Sequence, residues 1–304
     1  MIVVISLNML SSCSPTNAVA GPTLNPPTEI PATKTIEPTQ IPTVIPSPTP
    51  LPGDLVLPLD TLDDQIPWLP MENSARPGTA MYIFNQEKPP FNSVLVRQAF
   101  AAAIDREALV EIASKFGAID PRAATSLTPP ETLGRDLYNT VGIPFDPDQA
   151  KAYLAEAGYT DPTKFPDVTI LINIGGDAAP GFHVRITDAM IDMWKEYLGV
   201  TVTSEVVDWG TYQDRIVSNP PEIVRMSWAA DLNDPDNFLR ELYYSDSQYN
   251  YAHFSNPEYD QLVDQAAENQ SPAERQELYI QAERILCESE AVIIPLYHSK
   301  WNIP

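Results

Sequence analysis

Neither a helix interior nor a central strand can run through Ile45-Pro46-Ser47-Pro48-Thr49-Pro50-Leu51-Pro52, where every second residue lacks an amide hydrogen and has a locked φ. That run closes a longer stretch, residues 14–53, dominated by Pro, Thr and Ser and with almost no aromatic or periodic apolar content. Such a segment cannot bury enough apolar surface to offset the entropy of ordering it, so a disordered, polyproline-like tether is expected. With 32 prolines in 304 residues placed this unevenly, only about the last 220–230 residues are foldable, enough for one substantial domain.

The residues before the tether carry their own signal. Met1 to Leu10 is mostly apolar and ends in Leu10-Ser11-Ser12-Cys13, which resembles a bacterial lipobox, where the leader is cut before the cysteine and the cysteine then carries lipid. Residues 1–12 read as a lipoprotein signal segment, Cys13 as the lipidation site, and 13–53 as a stalk lifting a domain off a membrane. No later stretch reaches the roughly 20 apolar residues of a membrane span. Cys287 lies on the apolar side of a predicted helix and is expected to be a small core residue. Two cysteines so far apart make neither a disulfide framework nor a metal cluster. With 18 Lys plus Arg against 41 Asp plus Glu, the formal charge of −23 repels phosphate backbones and anionic headgroups. Nucleic acid is therefore not an expected partner, and the plain consequence of the charge is solubility of an exported protein.

Residues 54–80 read as a connecting segment, in which Leu55, Val56, Leu57, Leu59 and Leu62 fit a strand or a loose connection equally. A regular pattern runs from Met81 to the last residue. Tyr82 to Asn85 reads as a short strand, and Asn92 or Ser93 caps a helix bearing Val96, Ala99, Phe100 and Ala103 at helical spacing. Asp105 is placed to cap a second helix, and Asp146-Pro147 opens a third that Gly158 ends. Val168 to Asn173 is a strand, Pro180 to Leu198 a helix with Ile186, Met190, Met193, Trp194 and Tyr197 inward, and Val200 to Val207 a second strand. Glu222 to Trp228 is a further strand and Asn256-Pro257 starts a helix. Ser271-Pro272-Ala273-Glu274 has the form of a capping box, and Ala291 to Tyr297 is an apolar strand. Strands alternating with helices imply an α/β layer, helices packed on a sheet.

The densest polar cluster is Trp228-Ala229-Ala230-Asp231-Leu232-Asn233-Asp234-Pro235-Asp236-Asn237. Its carboxylates are types that serve as acid and base or as hard-cation ligands. Against a calcium loop, Pro235 takes a ligand position and both the glycine and the closing glutamate are missing, so no metal or other cofactor is expected. Asp-Pro and Asn-rich runs are commonly turns and caps, and Asp236 or Asn237 is placed to cap a helix holding Phe238 and Leu239. His183, His253 and His298 stand in no metal-ligand spacing, and no phosphate loop or nucleophile elbow is present. The residues make no positive case for an enzyme, and no catalytic residue is assigned.

Phe84-Asn85, Pro89-Pro90-Phe91-Asn92, Val96-Arg97-Gln98-Ala99 and Ala103-Ile104-Asp105-Arg106 together resemble the signature of bacterial extracellular solute-binding proteins of the oligopeptide/dipeptide/nickel class of ABC importers, family 5. Phe145-Asp146-Pro147, Leu154-Ala155-Glu156-Ala157-Gly158-Tyr159, Leu198-Gly199-Val200 with Asp208-Trp209 and Tyr212, Trp228 with Asp231 and Asp234-Pro235-Asp236-Asn237-Phe238, Asn256-Pro257-Glu258-Tyr259-Asp260, and Ile294-Pro295-Leu296-Tyr297-His298 continue the likeness in order. The resemblance implies one lobe of a type II periplasmic-binding-protein fold, a mixed sheet with packed helices over residues 81–304, with most of the first lobe expected to be absent.

It further implies a substrate-binding component that captures peptides or similar small solutes outside the cytoplasmic membrane and passes them to an ABC permease and its ATPase. Asp231 stands where peptide-binding members pair the ligand's α-amino group, Trp228 would line the pocket, and Arg225 would meet a ligand carboxylate. Arg97 is expected to anchor the first helix. Hinged closure takes two walls, so the chain by itself is expected to bind peptide weakly or not at all. Two other readings stand beside this one: a lipid-anchored hydrolase using Asp231 and Asp234, and a non-transport sensory or interaction lobe. Relatives with similar signatures take peptides, nickel chelates, sugars and opines, and Asp231 leans the choice towards an α-amino ligand.

Overall fold

The computed structural model describes residues 76–174 and 181–301. The predicted signal segment, Cys13, the tether and residues 54–75 of the connecting segment lie outside them. Among the described residues one sheet of six strands has the order β2-β6-β1-β5-β3-β4, with β1 Arg76–Phe84, β2 Ile119–Ala123, β3 Val168–Ile174, β4 Val202–Asp208, β5 Ile223–Ala229 and β6 Ile293–Trp301. β3 runs parallel to both β4 and β5, whereas β1 is antiparallel to β5 and β6, and β2 to β6. The sheet is therefore mixed, as expected.

β1 is buried along nearly its whole length, so both of its faces must be covered. Alternation decides what covers each. Ala80, Tyr82 and Phe84 join a core built with helices α1 Val94–Ala102, α2 Arg106–Lys115, α4 Pro147–Glu156 and α5 Phe182–Tyr197. In that layer Phe100 meets Phe91 edge-on at 4.9 Å and the Trp194 ring at 5.0 Å, while the Trp194 indole donates to the Phe100 carbonyl at 2.9 Å. Met81 and Ile83 point the other way, to a core made with α7 Asp236–Tyr243, α8 Pro257–Glu268 and α9 Pro272–Arg284. The short α3 Pro130–Leu133 lies in the long connection after β2, and α6 Trp209–Ser218 adds a small cluster of Tyr212 and Ile216 on Leu171 and Val224. Cys287 is buried in the second core within the π-helical turn after α9, as its apolar neighbours foretell.

Several caps form as expected: Asp105, Asp146 and Asn256 accept from backbone amides in the first turns of α2, α4 and α8. Others do not. Ser271 makes no side-chain cap, because Asn269 intervenes, accepting from the Ser271 amide at 2.8 Å and donating to Glu274 at 3.3 Å. Ser93 also makes no side-chain cap. At the start of α7 the cap comes from Asp234, which accepts from the Asp236 amide at 2.9 Å, rather than from Asp236 or Asn237. β1 begins at Arg76, inside the stretch read as a connection. Pro77 and Gly78 are poor strand formers taken alone, but Pro77 still offers its carbonyl to the Ala230 amide at 2.9 Å. A Cβ on Gly78 would stand 2.5 Å from the Trp228 carbonyl oxygen and 2.6 Å from the Trp301 ring, so the weak residue is the one that fits.

The family-like arginines prove to be anchors. Arg106 is buried and donates to the Pro295 carbonyl at 2.7 Å. Arg97, on α1, donates to the Phe91 carbonyl at 2.7 Å and to the Glu290 carbonyl at 2.9 Å, joining α1 to the turn before β6. Burial pulls its guanidinium down to about 10, against the opposing pull of Glu290, which leaves it cationic at neutral pH. Arg97→Leu strands both carbonyls and is expected to lower the urea-unfolding free energy by about 3 kcal/mol. Arg97→Lys should recover part of that, since a single ammonium lacks the fork that reaches both. A loss under about 1 kcal/mol would mean that water satisfies these carbonyls as well as the guanidinium does.

Candidate functional site

In sheets with parallel strands, ligands meet the carboxyl ends, where loops diverge. Here the carboxyl ends of β3, β4, β5 and β6 lie at one edge, together with the start of antiparallel β1: Ile174 faces Asp208, Ala229 faces Gly78, and Trp301 faces Arg76. Exposed Ile174, Trp209 and Leu232 collect at this edge, with Trp209 stacked on Tyr212 at 5.5 Å. Large apolar side chains open to solvent at the strand ends mark a surface suited to a ligand or a second wall.

Trp228, Ala229, Ala230 and Asp231 leave β5 at this edge. Asp231 is fixed from below rather than by its own side chain, because Asn237, at the start of α7, accepts from the Asp231 amide at 2.9 Å and from the Trp228 indole at 3.4 Å. The Asp231 carboxylate is left 65% exposed, with Arg76 Nη1 at 2.8 Å. Trp228 is half-buried, its ring 5.5 Å from that of Tyr249. In register with it on β1 is Thr79, and in register with Thr79 on β6 is His298, so the three share one face. The Thr79 hydroxyl donates to the Leu127 carbonyl at 2.6 Å and meets His298 Nδ1 at 2.9 Å. With its proton spent on Leu127, that hydroxyl accepts from Nδ1–H.

Arg225 falls elsewhere. It stands three positions before Trp228 on the same strand and so points to the opposite face, in register with Tyr82. It is buried, donating to Asn173 Oδ1 at 3.3 Å and Ser227 Oγ at 2.8 Å. Burial raises the neighbouring Tyr82 hydroxyl to about 12 despite its 2.6 Å hydrogen bond to Thr187. The structure thus gathers Trp228 and Asp231 through Asn237 and sets Arg225 across the sheet from Trp228. A ligand touching all three would have to lie over the carboxyl edge itself.

The remaining carboxylates of the cluster are committed. Asp234 takes Arg275 at 2.8 Å. Asp236 accepts from Arg240 at 3.0 Å and Tyr279 at 3.0 Å, its carboxyl pushed up by burial against the pull of Arg240. Arg240 continues to Asp264 at 3.0 Å. This network staples α7 to α8 and α9, and it engages Asp234 with Arg275, a different partner from Asp231's own, Arg76. Among the described residues no group of three or more His, Cys, Asp or Glu is arranged to hold a metal ion. Two further residues shape the edge: Asn237, whose side chain serves Asp231 and Trp228 rather than capping α7, and Arg76, from the stretch 54–80 that reads as a connection and carries no signal for this contact.

Residues 50–250 match the model of the bacterial extracellular solute-binding proteins, family 5, middle part. The chain belongs to family 5. Among its family 5 relatives, the probable deoxycholate-binding periplasmic protein YgiS of Escherichia coli is 34% identical over 229 residues, 73% of this chain and 40% of that protein. The periplasmic oligopeptide-binding protein OppA of Salmonella typhimurium is 33% identical over 226 residues, 72% of this chain and 39% of OppA. The solved murein tripeptide binding protein MppA of Escherichia coli superposes with a TM-score of 0.65 at 30% identity, over 79% of this chain and 46% of MppA. The fold described above is accordingly one lobe of the periplasmic-binding-protein fold, and the family 5 chain spans about 40% of the length of these curated relatives.

His298 gives this face a measurable pH response. Burial, and to a lesser degree Arg122, pull its imidazole from 6.5 down to about 3. The unfolded chain takes up that proton near 6.5 and the folded one only near 3, so the contribution to stability is complete above pH 6.5 and is lost as pH falls towards 3. The full span is on the order of 5 kcal/mol. In urea unfolding at stepped pH, wild type should lose stability across this window more steeply than His298→Asn, which keeps a donor near Thr79 but does not titrate. Parallel slopes would refute the assignment.

Proposed function

We propose that the chain carries the ligand-facing lobe of a substrate-binding component of an ABC importer, capturing peptides or similar α-amino solutes outside the cytoplasmic membrane for delivery to a permease and its ATPase. The observation that carries this reading is the Asp231 carboxylate, solvent-facing at the carboxyl edge of the sheet while its backbone is tied through Asn237 to the Trp228 indole. A carboxylate held on a rigid strand end gains most from an ammonium partner when a closing wall removes water. Trp228 offers an apolar surface beside it that suits varied side chains. Arg225 would take a ligand carboxylate only by drawing it across the strand ends and exchanging Asn173 or Ser227 for it.

Membership of family 5 supports a binding role over catalysis, and Asp234, which a hydrolase centred on Asp231 would use, is paired with Arg275. Relatives named as periplasmic support export, with Cys13 as the lipid anchor and the Pro-rich segment as stalk. Trialanine at millimolar concentration should shift indole resonances of the full chain in NMR spectra. Asp231→Asn should weaken that binding about tenfold, and it should leave N-acetyl-trialanine unaffected. Equal responses of both peptides to the substitution would remove Asp231 from the amine-binding role.

A further inference from the structure

Arg76 opens β1 at the strand-end edge and places Nη1 2.8 Å from Asp231 Oδ1, its side chain 18% exposed against 65% for Asp231. The two are 155 positions apart, so no local turn makes this contact. Their backbones are already held together by the bond from the Ala230 amide to the Pro77 carbonyl at 2.9 Å, and β1 is paired along its length with β5 and β6. The guanidinium is thus delivered to the carboxylate by strand register, at small further cost in chain entropy. As a staple it adds little, since a pair this exposed stabilises weakly and the ladders on both sides of β1 already fix the strand. Its consequence falls on whatever approaches Asp231.

We infer that Arg76 is a specificity-determining residue: an internal counter-ion that occupies Asp231 until a ligand ammonium shares or displaces it, so that cationic and zwitterionic solutes must compete with the protein's own cation. This rests on the reading of Asp231 as the amine site. It also gives the strongly acidic chain, of formal charge −23, a local brake on nonspecific cation capture at that one carboxylate. Only ligands with additional contacts, such as those a peptide can make with the Trp228 ring, overcome the competition.

The test measures trialanine and N-acetyl-trialanine affinities by NMR titration of the full chain for wild type, Arg76→Gln, Arg76→Lys and each of these with Asp231→Asn. Arg76→Gln should tighten trialanine about two- to fivefold and leave the acetylated peptide unchanged, with Arg76→Lys staying near wild type and Asp231→Asn cancelling the gain. If the free amine is preferred but Arg76→Gln leaves that preference unchanged or lowers it, the counter-ion role falls and the Asp231 site stands. Equal effects of Gln and Lys would assign Arg76 to structure alone and overturn the inference. If no protein distinguishes the free from the acetylated peptide, the reading of Asp231 fails and the inference with it.

Discussion

The lobe depends on one act of pairing. β1, the first described strand, lies between β5 and β6, and among the described strands it alone joins the parallel half of the sheet, β5-β3-β4, to β6 and β2. Without β1 the ladder has a gap at its centre, and the two cores have no common floor. Its residues alternate between those cores, with Tyr82 and Phe84 on one side and Met81 and Ile83 on the other, so a slip of one residue would exchange the packing of both faces at once. The register is consequently well specified, although Arg76 pairs with Trp301 across most of the described chain. Closing a loop of that length carries an entropic cost that the packing on both faces of β1 has to offset.

That same register builds the candidate site. Thr79 is placed beside Trp228 and His298 because all three are in register on one face, and Arg76 is placed at Asp231 because Pro77 accepts from Ala230. Of Asp231's partners, Asn237 comes from the same segment six positions on, whereas Arg76 comes from the start of β1, 155 positions away. Folding and site geometry are therefore one constraint. Glu283 shows the same economy deeper in the second core. Fully buried, and with burial pushing its carboxyl up, it accepts from the Leu127 and Thr128 amides at 2.8 and 2.7 Å. It thereby fixes the carbonyl of Leu127, to which the Thr79 hydroxyl donates.

What could be read from the residues follows from where the information is local. Caps at Asp105, Asp146 and Asn256, the glycine stop at Gly158 and the inward stripe of α5 are decided within a few positions, and each is found as read. α6 went unread because its ten residues bury only Tyr212 and Ile216, too short a stripe to register as a period. Its Asp208 cap, which accepts from Thr211 at 3.1 Å, was the available signal. The first six residues of β1, Arg76 to Met81, are not legible as strand for another reason, since Pro77 and Gly78 oppose a strand locally and are overruled by two neighbouring strands. At the site, Trp228 and Asp231 were recognisable from their spacing in a family-like segment. The opposed facing of Arg225 follows from period two once β5 is accepted as a strand; Asn237 lies within the same segment but with its role visible only in the turn's geometry, and Arg76 is brought in by the three-dimensional register.

The polar residues of the 228–237 segment divide by what they are allowed to do. Asp234, Asp236 and Asn237 accept from Arg275, Arg240, Tyr279, the Trp228 indole and backbone amides, and in doing so they tie α7 beneath the end of β5. Rigidity there keeps the Asp231 carboxylate at the strand end, where Arg76 meets it and where the proposed ligand ammonium would have to compete for it. A segment dense in acids therefore presents one acid. The others supply its position, and charge density in the sequence was a poor guide to charge available at the surface.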